Sequence, residues 1–114
     1  MKMMEIASLL DAKILCGDIH SEECFETAFS SDMMSDALAF GREQSLLLTG
    51  LMNQQVIRTA EMIDIHCVVF VRGKVPAPEI IELAAEKGIA VMTTAHGMFS
   101  ASGILYAEGI RGGA

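Results

Sequence analysis

The sequence predicts an α/β fold in which a mainly parallel sheet is flanked by helices, and two observations carry that prediction. Three short apolar runs, over residues 45–50, 67–73 and 89–94, show no alternation with polar positions. Strands buried on both faces read this way. Two helical patterns, over residues 53–64 and 78–87, fill the intervals between the runs. Strands that alternate with helices of this length imply right-handed βαβ crossovers, and hence parallel pairing.

The elements follow in order. Residues 3–10 predict an amphipathic helix with Ile6, Leu9 and Leu10 on its apolar side, ended by Asp11. Residues 12–16 read as a strand that turns at Gly17 and Asp18, and residues 20–23 as polar loop. Residues 25–29 alternate as a half-exposed strand does. Ser30, Ser31 and Asp32 then offer N-caps for a helix over residues 33–40, which closes at Gly41. Past the first apolar run, Asn53 is the expected N-cap of the next helix, because its side-chain oxygen can accept from a free first-turn amide. Val56, Ala60 and Ile63 give that helix one apolar stripe.

The helix over residues 78–87 is marked at both ends. Pro78 suits the first helical position. Glu79 and Glu82 lie near the positive end of the dipole and Lys87 near the negative end. Gly88 stands where a left-handed cap is wanted, and Ile80, Leu83 and Ala84 face the sheet. Residues 98–108, with Phe99, Ile104, Leu105 and Tyr106, form the last helix. Residues 109–114 read as a loose C-terminal tail on a single domain spanning 1–114.

Composition limits the function classes. The chain of 114 residues is 52% hydrophobic, enough for a real core, and carries a formal net charge of −7. That balance argues against nucleic acid and against an anionic membrane surface, both of which need clustered Lys and Arg. No run approaches the roughly 18 apolar residues of a membrane span. The opening Met1-Lys2-Met3-Met4-Glu5 does not read as a signal peptide. Three cysteines without framework spacing predict a reducing, cytoplasmic setting.

Several stretches together resemble the DRTGG domain family. They are Leu46-Leu47-Leu48-Thr49-Gly50, Gln55-Val56-Ile57-Arg58-Thr59-Ala60, Val68-Val69-Phe70-Val71-Arg72-Gly73, Pro78-Glu79-Ile80-Ile81-Glu82-Leu83-Ala84 and Lys87-Gly88-Ile89. The resemblance covers most of the chain and is strongest from Phe29 to Thr94. It implies a small α/β module similar to the N-terminal domain of HPr kinase/phosphorylase. Such modules stand beside CBS domains in regulated pyrophosphatases, inside some phosphotransacetylases, and alone. The implied role is regulatory.

An enzyme is not expected. A P-loop needs Gly-x-x-x-x-Gly-Lys-Ser/Thr, so that loop amides cradle phosphate and the hydroxyl meets magnesium. Gly73-Lys74 is the one candidate, and Val68 and Val75 stand where the first glycine and the hydroxyl belong. No cysteine or serine is tied by a motif to His66 or His96. Cys16, His20 and Cys24 have a C-x3-H-x3-C spacing that matches no usual zinc set, so neither metal nor cofactor is expected. Cys67, among Val and Phe, reads as core. Asp32 and Asp36, each preceded by serine, fit helix capping better than acid/base or magnesium chemistry.

The candidate site is therefore the loop rim beyond the strand ends: Thr49, Gly50, Asn53, Arg72, Gly73, Lys74, Thr93, Thr94 and His96. Open parallel sheets bind ligands beyond the carboxyl ends of their strands. The predicted function is a non-catalytic regulatory module that binds a small ligand, with a nucleotide as one candidate, or docks a partner protein. The alternative is a structural homodimerisation or scaffold module with no ligand. A two-fold homodimer is expected in either case, given so much apolar content in a small chain.

Overall fold

The computed structural model describes residues 1–112. Its strands are β1 (Lys13–Cys16), β2 (Thr27–Ser30), β3 (Leu46–Thr49), β4 (Cys67–Phe70), β5 (Ala90–Thr93) and β6 (Arg111–Gly112). They form one sheet in the order β1-β5-β4-β3-β2-β6. The three apolar runs are its centre: β3, β4 and β5 pair in parallel, with Thr49 beside Phe70 and Phe70 beside Thr93. β2 extends the parallel set on β3. Only the edge strand β1 runs antiparallel, against β5.

Five helices cover the sheet: α1 (Met3–Leu9), α2 (Met34–Phe40), α3 (Gln54–Met62), α4 (Pro78–Glu86) and α5 (Met98–Ala107). Strand side chains point alternately to the two faces. Leu46, Leu48, Cys67, Val69, Val71 and Met92 form one core with Met3, Ile6 and Leu10 of the N-terminal segment and with Ala101 and Leu105 of α5. Leu47, Val68, Phe70 and Val91 form the other with Met34 and Ala37 of α2, Val56, Ile57 and Ala60 of α3, and Ile80 and Ala84 of α4. Both faces are apolar because both are covered, which is why the runs show no alternation. Among the described residues, no helix is long and apolar enough to cross a membrane.

Four local expectations change. Asn53 sits at the N-cap of α3 in extended conformation, but its side chain makes no capping bond. The N-cap of α2 is Met33. Its amide donates to Ser31 Oγ at 2.9 Å, so the serine turns the chain into α2 while Asp32 points elsewhere. The strand expected over residues 25–29 is displaced towards the C-terminus, to Thr27–Ser30, and Phe25 precedes it as a fully buried plug. The expected tail is partly built in. Ile110 is 4% exposed and β6 pairs in parallel with β2, Thr27 beside Arg111 and Ala28 beside Gly112. Burial of one isoleucine fixes a segment that Gly-rich composition alone marks as loose. Residues 113–114 lie outside the described residues.

Candidate functional site

Parallel pairing brings the carboxyl ends of β2, β3, β4 and β5 to one edge of the sheet. The chain leaves β3 at Thr49 and Gly50, both buried, and leaves β4 through Val71 into a tight turn. Arg72 and Gly73 both have positive φ, 63° and 69°, and the Lys74 amide closes on the Val71 carbonyl at 3.4 Å. Positive φ at both central residues is the type I′ pattern. Gly73 adopts it without cost, whereas Arg72 holds a conformation uncommon for a residue with a Cβ. The turn is pinned to the next loop: Arg72 N–H donates to the His96 carbonyl and Gly73 N–H to the Thr94 carbonyl, each at 2.8 Å.

This backbone aims three donors at one point. The Gly50 amide donates to Asp32 Oδ1 at 2.6 Å. Thr49 Oγ1 donates to the same oxygen at 3.3 Å, and Arg72 Nη2 to Oδ2 at 3.2 Å. The guanidinium lies so close over Gly50 that a Cβ there would overlap it. The Gly50 amide, then the Arg72 guanidinium, hold the Asp32 carboxyl below its ordinary value. At the next peptide, Lys74 Nζ donates to the Gly50 carbonyl at 3.0 Å. The corner is thus a compact oxyanion cradle with two cations and one built-in carboxylate.

The remaining predicted residues are used differently. Thr93 Oγ1 donates to the Lys74 carbonyl and steadies the turn. Thr94 is 2% exposed; its hydroxyl donates to the Leu10 carbonyl at 2.7 Å and accepts from the His96 amide. Its role is to tie β5 to the end of α1. Asn53 is exposed at the start of α3, and His96 contributes its main chain. The rim gathers Thr49, Gly50, Arg72, Gly73, Lys74 and Thr93 around one corner, while Thr94 belongs to the interior.

The sequence assigns Asp32 to capping of α2, and the structure turns it to the rim instead. A serine–aspartate pair before a helix carries the same signal whether the acid caps that helix or reaches across the sheet edge. The usable clue was topological. A parallel strand over residues 27–30 beside β3 must end at the same edge as Gly50, so the next acid lands there.

The cysteines lie away from the rim. Burial pushes the Cys67 thiol up to about 12, so it is an inert core group. Cys16 donates to the Ile89 carbonyl. Among the described residues, no three of His, Cys, Asp and Glu are placed to hold a metal ion. A wide depression of about 490 Å³ opens at the other end of the sheet, lined by Glu26, Thr27, Arg42 and Glu43 among others. It contains no predicted site residue, and its two glutamates suit an anion poorly.

The model of the DRTGG domain family matches residues 5–107. A solved structure with the same fold is the crystal structure of the CBS and DRTGG domains of the regulatory region of Clostridium perfringens pyrophosphatase, complexed with its activator diadenosine tetraphosphate. It superposes with a TM-score of 0.71 at 20% sequence identity, over 91% of this chain and 45% of that one. The chain therefore spans less than half the length of that relative. No curated protein matches the chain. With the family model matching nearly its whole length and the parallel sheet in place, the chain belongs to the DRTGG domain family.

Proposed function

We propose that the protein is a non-catalytic regulatory module whose strand-end rim binds a small phosphate-bearing ligand, in the first instance a nucleotide. The observation that carries this reading is the convergence of the Gly50 amide, the Thr49 hydroxyl and the Arg72 guanidinium on one anionic group. Charge-assisted donors on a fixed backbone are the ordinary means of holding phosphate oxygens. Arg72 and Lys74 also make the rim a cationic corner on a chain whose net charge is −7. The pyrophosphatase regulatory region, of the same fold, is complexed with a dinucleoside polyphosphate, which supports nucleotides as the first class to try. The test is calorimetric titration with ATP. Wild type binds, and Arg72→Ala weakens binding by about 1–3 kcal/mol, the usual loss for a charge-assisted bond. No heat from folded wild-type protein at millimolar ATP removes nucleotides and leaves docking of a partner protein as the regulatory mode.

A second reading, a homodimeric scaffold without ligand, has its own support. Phe99 is 92%, Met62 71%, Val75 60% and Tyr106 59% exposed. Large apolar groups left in water mark interfaces where they are contiguous. Light scattering at micromolar concentration tests it. A dimer mass supports association, and a monomer removes the scaffold.

A further inference from the structure

The cradle at Gly50 already contains an anion, and that anion belongs to the chain. Asp32 uses both carboxylate oxygens: Oδ1 accepts from the Gly50 amide and Thr49 Oγ1, and Oδ2 from Arg72 Nη2. We propose that Asp32 is an internal counter-anion that keeps the corner closed and sets the class of ligand admitted: an anion enters only by displacing the carboxylate, which a terminal phosphate dianion does and a monoanion such as acetate does not. The inference rests on the rim being the ligand site.

Three features support it. First, Asp32 is poised to leave. Its side chain is 46% exposed and sits on the short link between β2 and α2, where the Ser31 hydroxyl, and not Asp32, shapes the turn. The carboxylate can swing into water without disturbing the helix start. Second, the main-chain donor cannot follow. Gly50 is buried between β3 and α3 with its carbonyl held by Lys74, and the backbone that carries Arg72 is fixed by the main-chain bonds of its turn. Once the carboxylate departs, the Gly50 amide still faces the same point and needs a new acceptor, with the flexible Arg72 side chain within reach of it. Third, the charges discriminate. With Asp32 in place the corner sums one negative and two positive charges, a net of +1; with Asp32 withdrawn it is +2, matched to a phosphate dianion. A monoanion only replaces like with like, and must compete against a group tethered at high effective concentration. Because Asp32 stays ionised well below neutrality, competition by the ligand opens the corner, and protonation does not.

The experiment titrates wild type, Asp32→Asn and Asp32→Ser with ATP and with tripolyphosphate at fixed ionic strength. Urea denaturation confirms that each variant is folded. Both variants bind both probes at least about tenfold more tightly than wild type, a difference worth about 1.4 kcal/mol. Acetate competes with ATP on Asp32→Asn and has no effect on wild type. If wild type binds ATP and both variants bind equally or less tightly, the proposal is overturned and Asp32 is a positioning residue for Arg72. If neither wild type nor the folded variants bind, the rim is not a phosphate site, and the functional reading falls with the inference.

Discussion

The guanidinium of Arg72 lies on the α carbon of Gly50, in space that any side chain at position 50 would occupy. Gly50 does not have the positive φ that demands glycine, so its lack of a Cβ serves this contact alone. Gly50→Ala is therefore expected to keep stability within about 1 kcal/mol of wild type. The displaced group is the end of a flexible, half-exposed side chain, and its ion pair with Asp32 is of the exposed kind that contributes little. Binding of ATP is expected to be lost. A fall of several kcal/mol in urea denaturation would show that the overlap is resolved by the backbone instead.

Arg72 itself is held at a φ of 63°. Replacing it by glycine or by alanine removes the same side-chain bonds, so the two variants differ in the backbone alone. Arg72→Gly is expected to be more stable than Arg72→Ala by about 1 kcal/mol, the usual difference at a left-handed position. Equal urea midpoints would show that the turn relaxes out of this conformation.

Ile110 closes the core beneath α5 although its chain neighbours are exposed. Ile110→Ala is expected to cost about 2–4 kcal/mol, in the range for truncating a buried isoleucine. A cost under about 0.5 kcal/mol, typical of surface positions, would return the segment to the status of a tail.

His66 bridges two acids, its Nδ1 2.7 Å from Glu23 and its Nε2 2.9 Å from Asp64. The bond to Asp64 raises its pKa above the ordinary 6.5; burial opposes that rise, and the bond to Glu23 and the charges of both acids add to it. Folding then favours the protonated form. Its contribution to stability is fully present below the unfolded value of about 6.5 and is lost as pH rises through the higher folded value. His66→Gln should flatten that limb of the stability–pH curve. Identical slopes for both proteins across this window would refute the bridge.

The central sheet was legible because burial on both faces leaves an unmistakable mark: Leu46–Leu48 and Cys67–Phe70 contain no polar residue. The edges were less so. β1 is four residues long, and nothing local distinguishes antiparallel from parallel pairing at that length. β6 is two residues long and exists only because Ile110 is drawn into the core. At the site, Arg72 and Lys74 could be placed from the glycine turn beside them. Asp32 could not, because its partners lie 18 and 40 positions away in the chain. Local signals report on local partners, and the bonds that bring Asp32 into this corner run to distant ones.

The two cores of the sheet differ in when they can close. Met34, Val56, Ile80 and the helices that carry them all precede Thr94, so that side can be covered once the chain through Thr94 is free to fold. Met3 and Ile6 wait for Ala101, Leu105 and Ile110, contributed by the last helix and the segment after it. A chain ending at Thr94 therefore presents Leu46, Leu48, Val69 and Met92 to the solvent on one side while the other is sealed. Such an intermediate is one-sided bait for chaperones and proteases, and protease digestion of released chains truncated before and after Ile110 would show sensitivity disappearing between the two.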